Sequence, residues 1–145
     1  MLQPKRVRYN KTFRTAIRGK ALAGNTLNFG DFGMQAVDGA LISARQIEAT
    51  RRVLVRHLAR GGRMWIRMFP DRAVTKHPAE TRMGGGKGPV EFWAALVKPG
   101  HIIFELSGIK EDVAKHAVEL ASHKMPIDVR FVSRISETEG ASDED

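Results

Sequence analysis

The sequence predicts an α+β fold, with two helices packed on one face of a mostly antiparallel or mixed sheet, a basic N-terminal extension and a long glycine-rich loop. Three observations carry this. Two segments, 43–60 and 110–124, repeat their apolar residues with a helical period. Around them, short runs alternate with a period of two and are closed by Gly or Pro, as strands are. The runs between the helices read as antiparallel strands, an order that places both helices on a single sheet face. The 145 residues fit one domain with tails. The expected division is a basic arm over 1–28, an α+β domain over 29–135 and a disordered acidic tail over 136–145.

The arm carries Lys5, Arg6, Arg8, Lys11, Arg14, Arg18 and Lys20, and no acid occurs in the first thirty residues. Its apolar periodicity is poor, so it reads as extended chain rather than a packed element. It contains no serine and no clear amphipathic helix, which disfavours a transit peptide, and no apolar stretch after Met1 suggests a secretory signal. "LNFGDFGMQAV" reads as an irregular strand bulged at Gly30 and Gly33. "SARQIEATRRVLVRHLARGG" is the strongest helix. Ser43 and Gln46 form a capping-box pattern, and Gly61-Gly62 supplies a stop. Ile47, Leu54 and Leu58 fall within about 40° of one another at 100° per residue. Arg45, Arg52, Arg56 and Arg60 gather on the opposite side, and Arg51 is the misfit near the apolar face. "RMWIRMF" reads as a strand closed by Pro70. Residues 71–89 lack periodicity and are long enough to expect a functional loop. "VEFWAALVKPGHIIFEL" reads as a hairpin around a type II turn, with Pro99 at i+1 and Gly100 at i+2. "KEDVAKHAVELASHK" reads as a second helix with Ile109, Val113, Ala117 and Leu120 on its apolar side. "IDVRFVSRI" is a final strand with Ile127, Val129 and Phe131 on one face.

Several chemistries are poorly served. There is no cysteine, so no disulfide, thiolate metal site or cysteine nucleophile exists. The stretch "TRMGGGKGP" contains Gly86-Lys87 but is not a phosphate loop. Thr81 stands where the first glycine is required, Gly88 stands where the hydroxyl is required, and a strand rather than a helix follows. His116, Glu119 and His123 share one helix side, but further ligands are not evident, and an exposed flank is the simpler reading. His57, His77 and His101 have no evident partners in the sequence. No nucleophile motif occurs, and Ser43 is used as a cap. Trp65, Trp93, Phe92 and Phe104 lie in apolar runs and read as core. The expectation is therefore no enzyme, no catalytic residue, no metal and no cofactor.

Charge points elsewhere. Residues 1–87 hold 18 Lys and Arg against 5 acids, whereas 88–145 hold 6 against 11. A strongly positive portion of a globular protein meets a polyanion. A membrane is the weaker candidate, because the basic helix needs its apolar face for the core. Arginine suits forked phosphate contacts. The glycines Gly84, Gly85, Gly86 and Gly88 let backbone pass close to sugar–phosphate. Arg82 and Lys87 flank that bare segment, with Arg72 and Lys76 at its mouth. A flexible linker is the competing reading of the loop, but the flanking strands are too few for two domains.

Four strings, "MLQPKR", "ARQIEATRR", "WIRMFPD" and "RMGGGKGPVEFW", occur in the order found in the bacterial large-subunit ribosomal protein L-sixteen family, which the chain resembles from Met1 to about Ile135. The resemblance implies a non-catalytic protein of the cytoplasmic ribosome bound to large-subunit ribosomal RNA. It implies neighbouring ribosomal proteins as partners and transfer RNA at the A site as a further one, with no membrane and no homo-oligomer. It also implies a part in organising the peptidyl-transferase region and in late subunit assembly. Some members carry a hydroxylated arginine at the position of Arg82. Two departures stand out: Gly85 replaces a further lysine often present in the loop, and Asp38-Gly39-Ala40 replaces an often basic turn. A free-standing RNA-binding regulator or RNA chaperone using the same basic surface is the alternative.

Overall fold

The computed structural model of the chain describes residues 1–13, 16–58 and 60–134. Its elements follow the order β1 (Phe32–Ala36), β2 (Ala40–Ser43), α1 (Ala44–His57), β3 (Arg63–Ile66), β4 (Arg72–Thr75), β5 (Val90–Val97), β6 (Ile102–Ser107), α2 (Glu111–Ser122) and β7 (Val129–Ser133). The α+β class is as expected, but the strands form two antiparallel sheets, β3-β6-β1-β7 and β2-β5-β4, instead of one.

The division into two sheets corrects the expected hairpin. The turn at 98–101 forms as its residues dictate. Gly100 has φ 92°, and His101 N–H donates to the Lys98 carbonyl at 3.2 Å. The strands joined by the turn do not pair: β5 lies between β2 and β4, while β6 lies between β3 and β1. Turn chemistry reverses the chain locally, but the pairing partner is set by which apolar faces must be covered. Strands β2 and β4 were not anticipated. Both are only four residues long and offer too little alternation to read.

Helix α1 begins with the expected capping box. Gln46 N–H donates to Ser43 Oγ at 3.2 Å, and Ser43 N–H donates to Gln46 Oε1 at 3.0 Å. It ends at His57 with Leu58 as cap, ahead of Gly61-Gly62. Ile47 and Leu54 are buried and Leu58 is half-buried. In α2 the buried side is Ala114, Ala117, Val118 and Ala121, whereas Val113 and Leu120 are exposed. The buried stripe is thus rotated away from the larger side chains. Alanines let α2 approach α1 closely, so small residues occupy the contact. Both helices cover the core of Met34, Ile42, Phe104, Leu106 and Ala95.

Gly30 and Gly33 are needed for close approach rather than as bulges. A Cβ on Gly30 would lie 2.6 Å from the Leu106 carbonyl oxygen, and one on Gly33 would collide with the Leu27 side chain. The ladder irregularity of β1 falls at Met34/Gln35 instead.

The sheets are apolar on both faces. In the second sheet Leu41 pairs with Leu96, Arg72 with Ala94 and Val74 with Phe92, which places these residues on the face opposite Ile42, Ala95 and Val97. The inner face meets the helices, and part of the outer face meets the N-terminal arm. In the first sheet the strand β6 is buried from Ile102 to Leu106, and Leu27 closes over Ile102 and Val132. The arm has no regular element among its described residues, yet it is pinned by Ala21 N–H to the Pro99 carbonyl at 2.9 Å and Ile102 N–H to the Gly24 carbonyl at 2.8 Å.

Candidate nucleic-acid interface

The root of the arm is held by a buried carboxylate. Glu105, 0 % exposed on β6, accepts from Asn28 N–H at 2.7 Å, from Phe29 N–H at 3.4 Å and from Arg67 Nη1 at 3.0 Å. Arg67 also lies over the Phe29 ring at 5.1 Å, and that ring stacks on Trp65. Sequence reasoning missed this group. A signal existed: a lone glutamate inside "IIFEL" implies a buried charge, and buried charges are partnered.

Beyond that root, Lys5, Arg6, Arg8, Lys11, Arg18 and Lys20 are all exposed, and none forms an ion pair among the described residues. Arg14 lies outside the described residues, as does the tail 136–145. The arm touches both other basic features. Met1, Leu2 and Gln3 line a cleft with Ser43, Ala44 and Arg45 at the start of α1. Further along, Lys11 Nζ donates to the Lys87 carbonyl at 3.1 Å, while Lys87 Nζ donates to the Thr12 carbonyl and lies over the Phe13 ring. Gly39, in the turn that lacks basic residues, has no side chain to obstruct Ile17: a Cβ there would lie 2.7 Å from Ile17 Cγ2.

The glycine loop is the end of a β4–β5 hairpin. Strand pairing stops at Thr75 and Val90, and Lys76 N–H donates to the Pro89 carbonyl at 3.2 Å. Gly88 is packed at this base, where a Cβ would lie 2.9 Å from the Lys76 backbone. Gly84, Gly85 and Gly86 have φ 95°, 85° and 81° with open space around them, so the need there is conformational rather than steric. Met83 and Arg82 are fully or largely exposed at the tip. The glycines therefore divide: three shape a bare projecting tip, and Gly88 anchors its base.

On α1, Arg45, Arg52 and Arg56 are exposed on one side, and Arg60 follows in the turn beyond the helix. The run from Arg45 to Arg56 spans about 16 Å at 1.5 Å per residue. Arg51 is half-buried and engaged locally: its Nε and Nη2 donate to the two Glu48 carboxylate oxygens at 2.8 and 2.5 Å. Hydrogen bonding from Arg51, seconded by Arg52, lowers the Glu48 pKa to about 2, and the same bond raises that of Arg51. Glu48 thus pairs chiefly with Arg51, which points away from the row, and more loosely with Arg52 of the row at 3.3 Å.

The geometry brings the start of the arm to Arg45 and the middle of the arm to Lys87. Arg52, Arg56 and Arg60 lead away from that junction along α1. Exposed Glu111, Asp112 and Glu119 gather on α2, while Glu91 lines the cleft beside Arg45 and Glu80 stands in the loop near Arg82. The ring of His116 meets His57 edge-on at 5.7 Å, and among the described residues no group of three or more side chains is suited to hold a metal. No described helix is long and apolar enough to cross a membrane. An open, cation-lined surface suits binding to a polyanion. A model of the family described as ribosomal protein L16p/L10e matches residues 4–132.

Proposed function

Since this chain belongs to the ribosomal protein L16p/L10e family, and so is a large-subunit ribosomal protein that binds ribosomal RNA beside neighbouring ribosomal proteins, we propose that it organises the A-site region of the subunit. In this reading it supports binding of A-site transfer RNA and late subunit assembly in the cytoplasm, and peptide transfer itself is left to the RNA. The arm (1–28), the domain (29–135) and the tail (136–145) are separate working parts. The cations Lys5 to Lys20 and the row Arg45, Arg52, Arg56 and Arg60 hold RNA. The tip with Arg82 reaches furthest, and Arg82 is the side chain open to hydroxylation.

The observation that supports this reading is the clasp of Lys11 and Lys87, which lays the middle of the arm against the base of the glycine hairpin. Two basic segments held side by side can follow one RNA cleft, whereas segments on opposite sides could not. The test separates anchoring from reach. Subunits carrying Arg82→Ala are expected to incorporate the protein normally but to bind A-site transfer RNA more weakly, or to accumulate late precursors in sedimentation profiles. Wild-type transfer-RNA affinity together with a normal profile would remove the tip from the A site.

A further inference from the structure

A cavity opens where the arm crosses the outer face of the β2-β5-β4 sheet. Its floor is Leu41, Val74 and Leu96, its overhanging wall is Phe13, and Arg72 and Lys87 are its cations. Three features of this cavity are unexplained by RNA backbone binding alone. The Phe13 ring is 89 % exposed, although it sits beside an apolar floor that could have buried it. Arg72 is half-buried, yet among the described residues its guanidinium has no ion pair and no side-chain hydrogen bond. The floor side chains Leu41, Val74 and Leu96 carry no donor or acceptor, and the hydroxyls of the lining are those of Thr12 and Thr75. A flat apolar face joined to an anion fits all three: a nucleotide.

We propose that this cavity receives one unpaired nucleotide of the ribosomal RNA, with the base lying against Phe13 and the apolar sheet face and the phosphate held by Arg72 and Lys87. This rests on the ribosomal-RNA reading above. The base must be unpaired because only an unstacked base has a free face to lay on an aromatic ring. The clasp keeps the site preformed. Lys87 holds the chain at Thr12, next to Phe13, and its ammonium retains further donors for a phosphate oxygen. The arm thereby acts as one wall of a recognition site in addition to being a charged tether.

The test uses the full-length protein and purified large-subunit ribosomal RNA, with affinity measured across a salt series. Phe13→Leu removes the ring but keeps an apolar side chain and every cation. It is expected to weaken binding about 5- to 150-fold, the range for loss of one base–aromatic stack. The slope of log affinity against log salt should stay unchanged, because no phosphate contact is lost. Phe13→Trp is expected to keep wild-type affinity and to gain tryptophan emission that is quenched by the RNA. Adenosine monophosphate at millimolar concentration is expected to leave the emission of the Phe13→Trp protein unchanged; saturable quenching at micromolar concentration would reassign the cavity to a free nucleotide and overturn the proposal. Wild-type affinity of Phe13→Leu with a steep slope would sink the nucleotide site and leave the ribosomal-RNA reading standing. Failure of the wild-type protein to bind with a steep slope would sink that reading itself.

Discussion

Replacing Glu105 by alanine should cost about 3 kcal/mol, and the figure follows from who is left without a partner. Removing one member of a buried ion pair costs about 3–5 kcal/mol, because the other charge stays desolvated. Here the survivor is Arg67, whose side chain is 16 % exposed and can turn partly toward water, so the lower end applies. Asn28 N–H, the closer of the two backbone donors at 2.7 Å, lies in an exposed residue, and water can replace the carboxylate there. For a chain of this size a loss of 3 kcal/mol corresponds to roughly 10 °C in Tm. Glu105→Gln keeps the shape but loses the charge, so about 1–2 kcal/mol is expected. Urea unfolding followed by tryptophan fluorescence reads the stability. Amide exchange at Asn28 and Phe29 reads the arm root, and should accelerate more than exchange in α1. If Glu105→Ala loses less than about 1 kcal/mol, or if exchange at Asn28 is unaltered, the carboxylate is not what holds the arm to the domain.

Other outcomes are expected. Arg52→Glu combined with Arg56→Glu reverses two exposed charges, so urea unfolding should move by less than about 1 kcal/mol while incorporation into large subunits falls; a large drop in stability would make the arginine row structural. Gly30→Ala places a methyl group 2.6 Å from the Leu106 carbonyl oxygen, and a loss of about 1–3 kcal/mol is expected in the same assay; a neutral outcome would mean β1 and β6 can separate freely. The Glu48 pKa is lowered from 4.5 to about 2 in the fold, so its stabilising effect is complete above pH 4.5 and fades as pH falls toward 2. The stability gap between wild type and Glu48→Gln should accordingly close over that window, and a gap that persists at pH 2 would show that the Arg51 bond is not its source.

Sequence and fold differ in what they could disclose. The α1 cap, the positive φ of Gly100 and the bare glycine tip were legible because each depends on residues within a few positions of one another. So were the charge imbalance and the exposed arginine row, which need only composition and a helical period. The partition of β5 and β6 into different sheets was not legible. Backbone hydrogen bonds are alike at every residue and do not name their partner, and a good turn between two strands is compatible with their divergence. The α2 face was misread for a related reason: periodicity ranks residues by hydropathy, but close packing against α1 selects the small ones.

Residues and spacing alone determined a basic, cysteine-free α+β chain with a capped arginine helix and a glycine loop, since these follow from local geometry and from charge. Only the tertiary structure decided that the arm lies over the outer sheet faces, that Glu105 and Arg67 root it, and that Lys11 and Lys87 join it to the hairpin. Those contacts link positions as much as 77 residues apart. They exist because both sheets are apolar on two sides: the helices cover one side, and the arm is the chain that closes over part of the other.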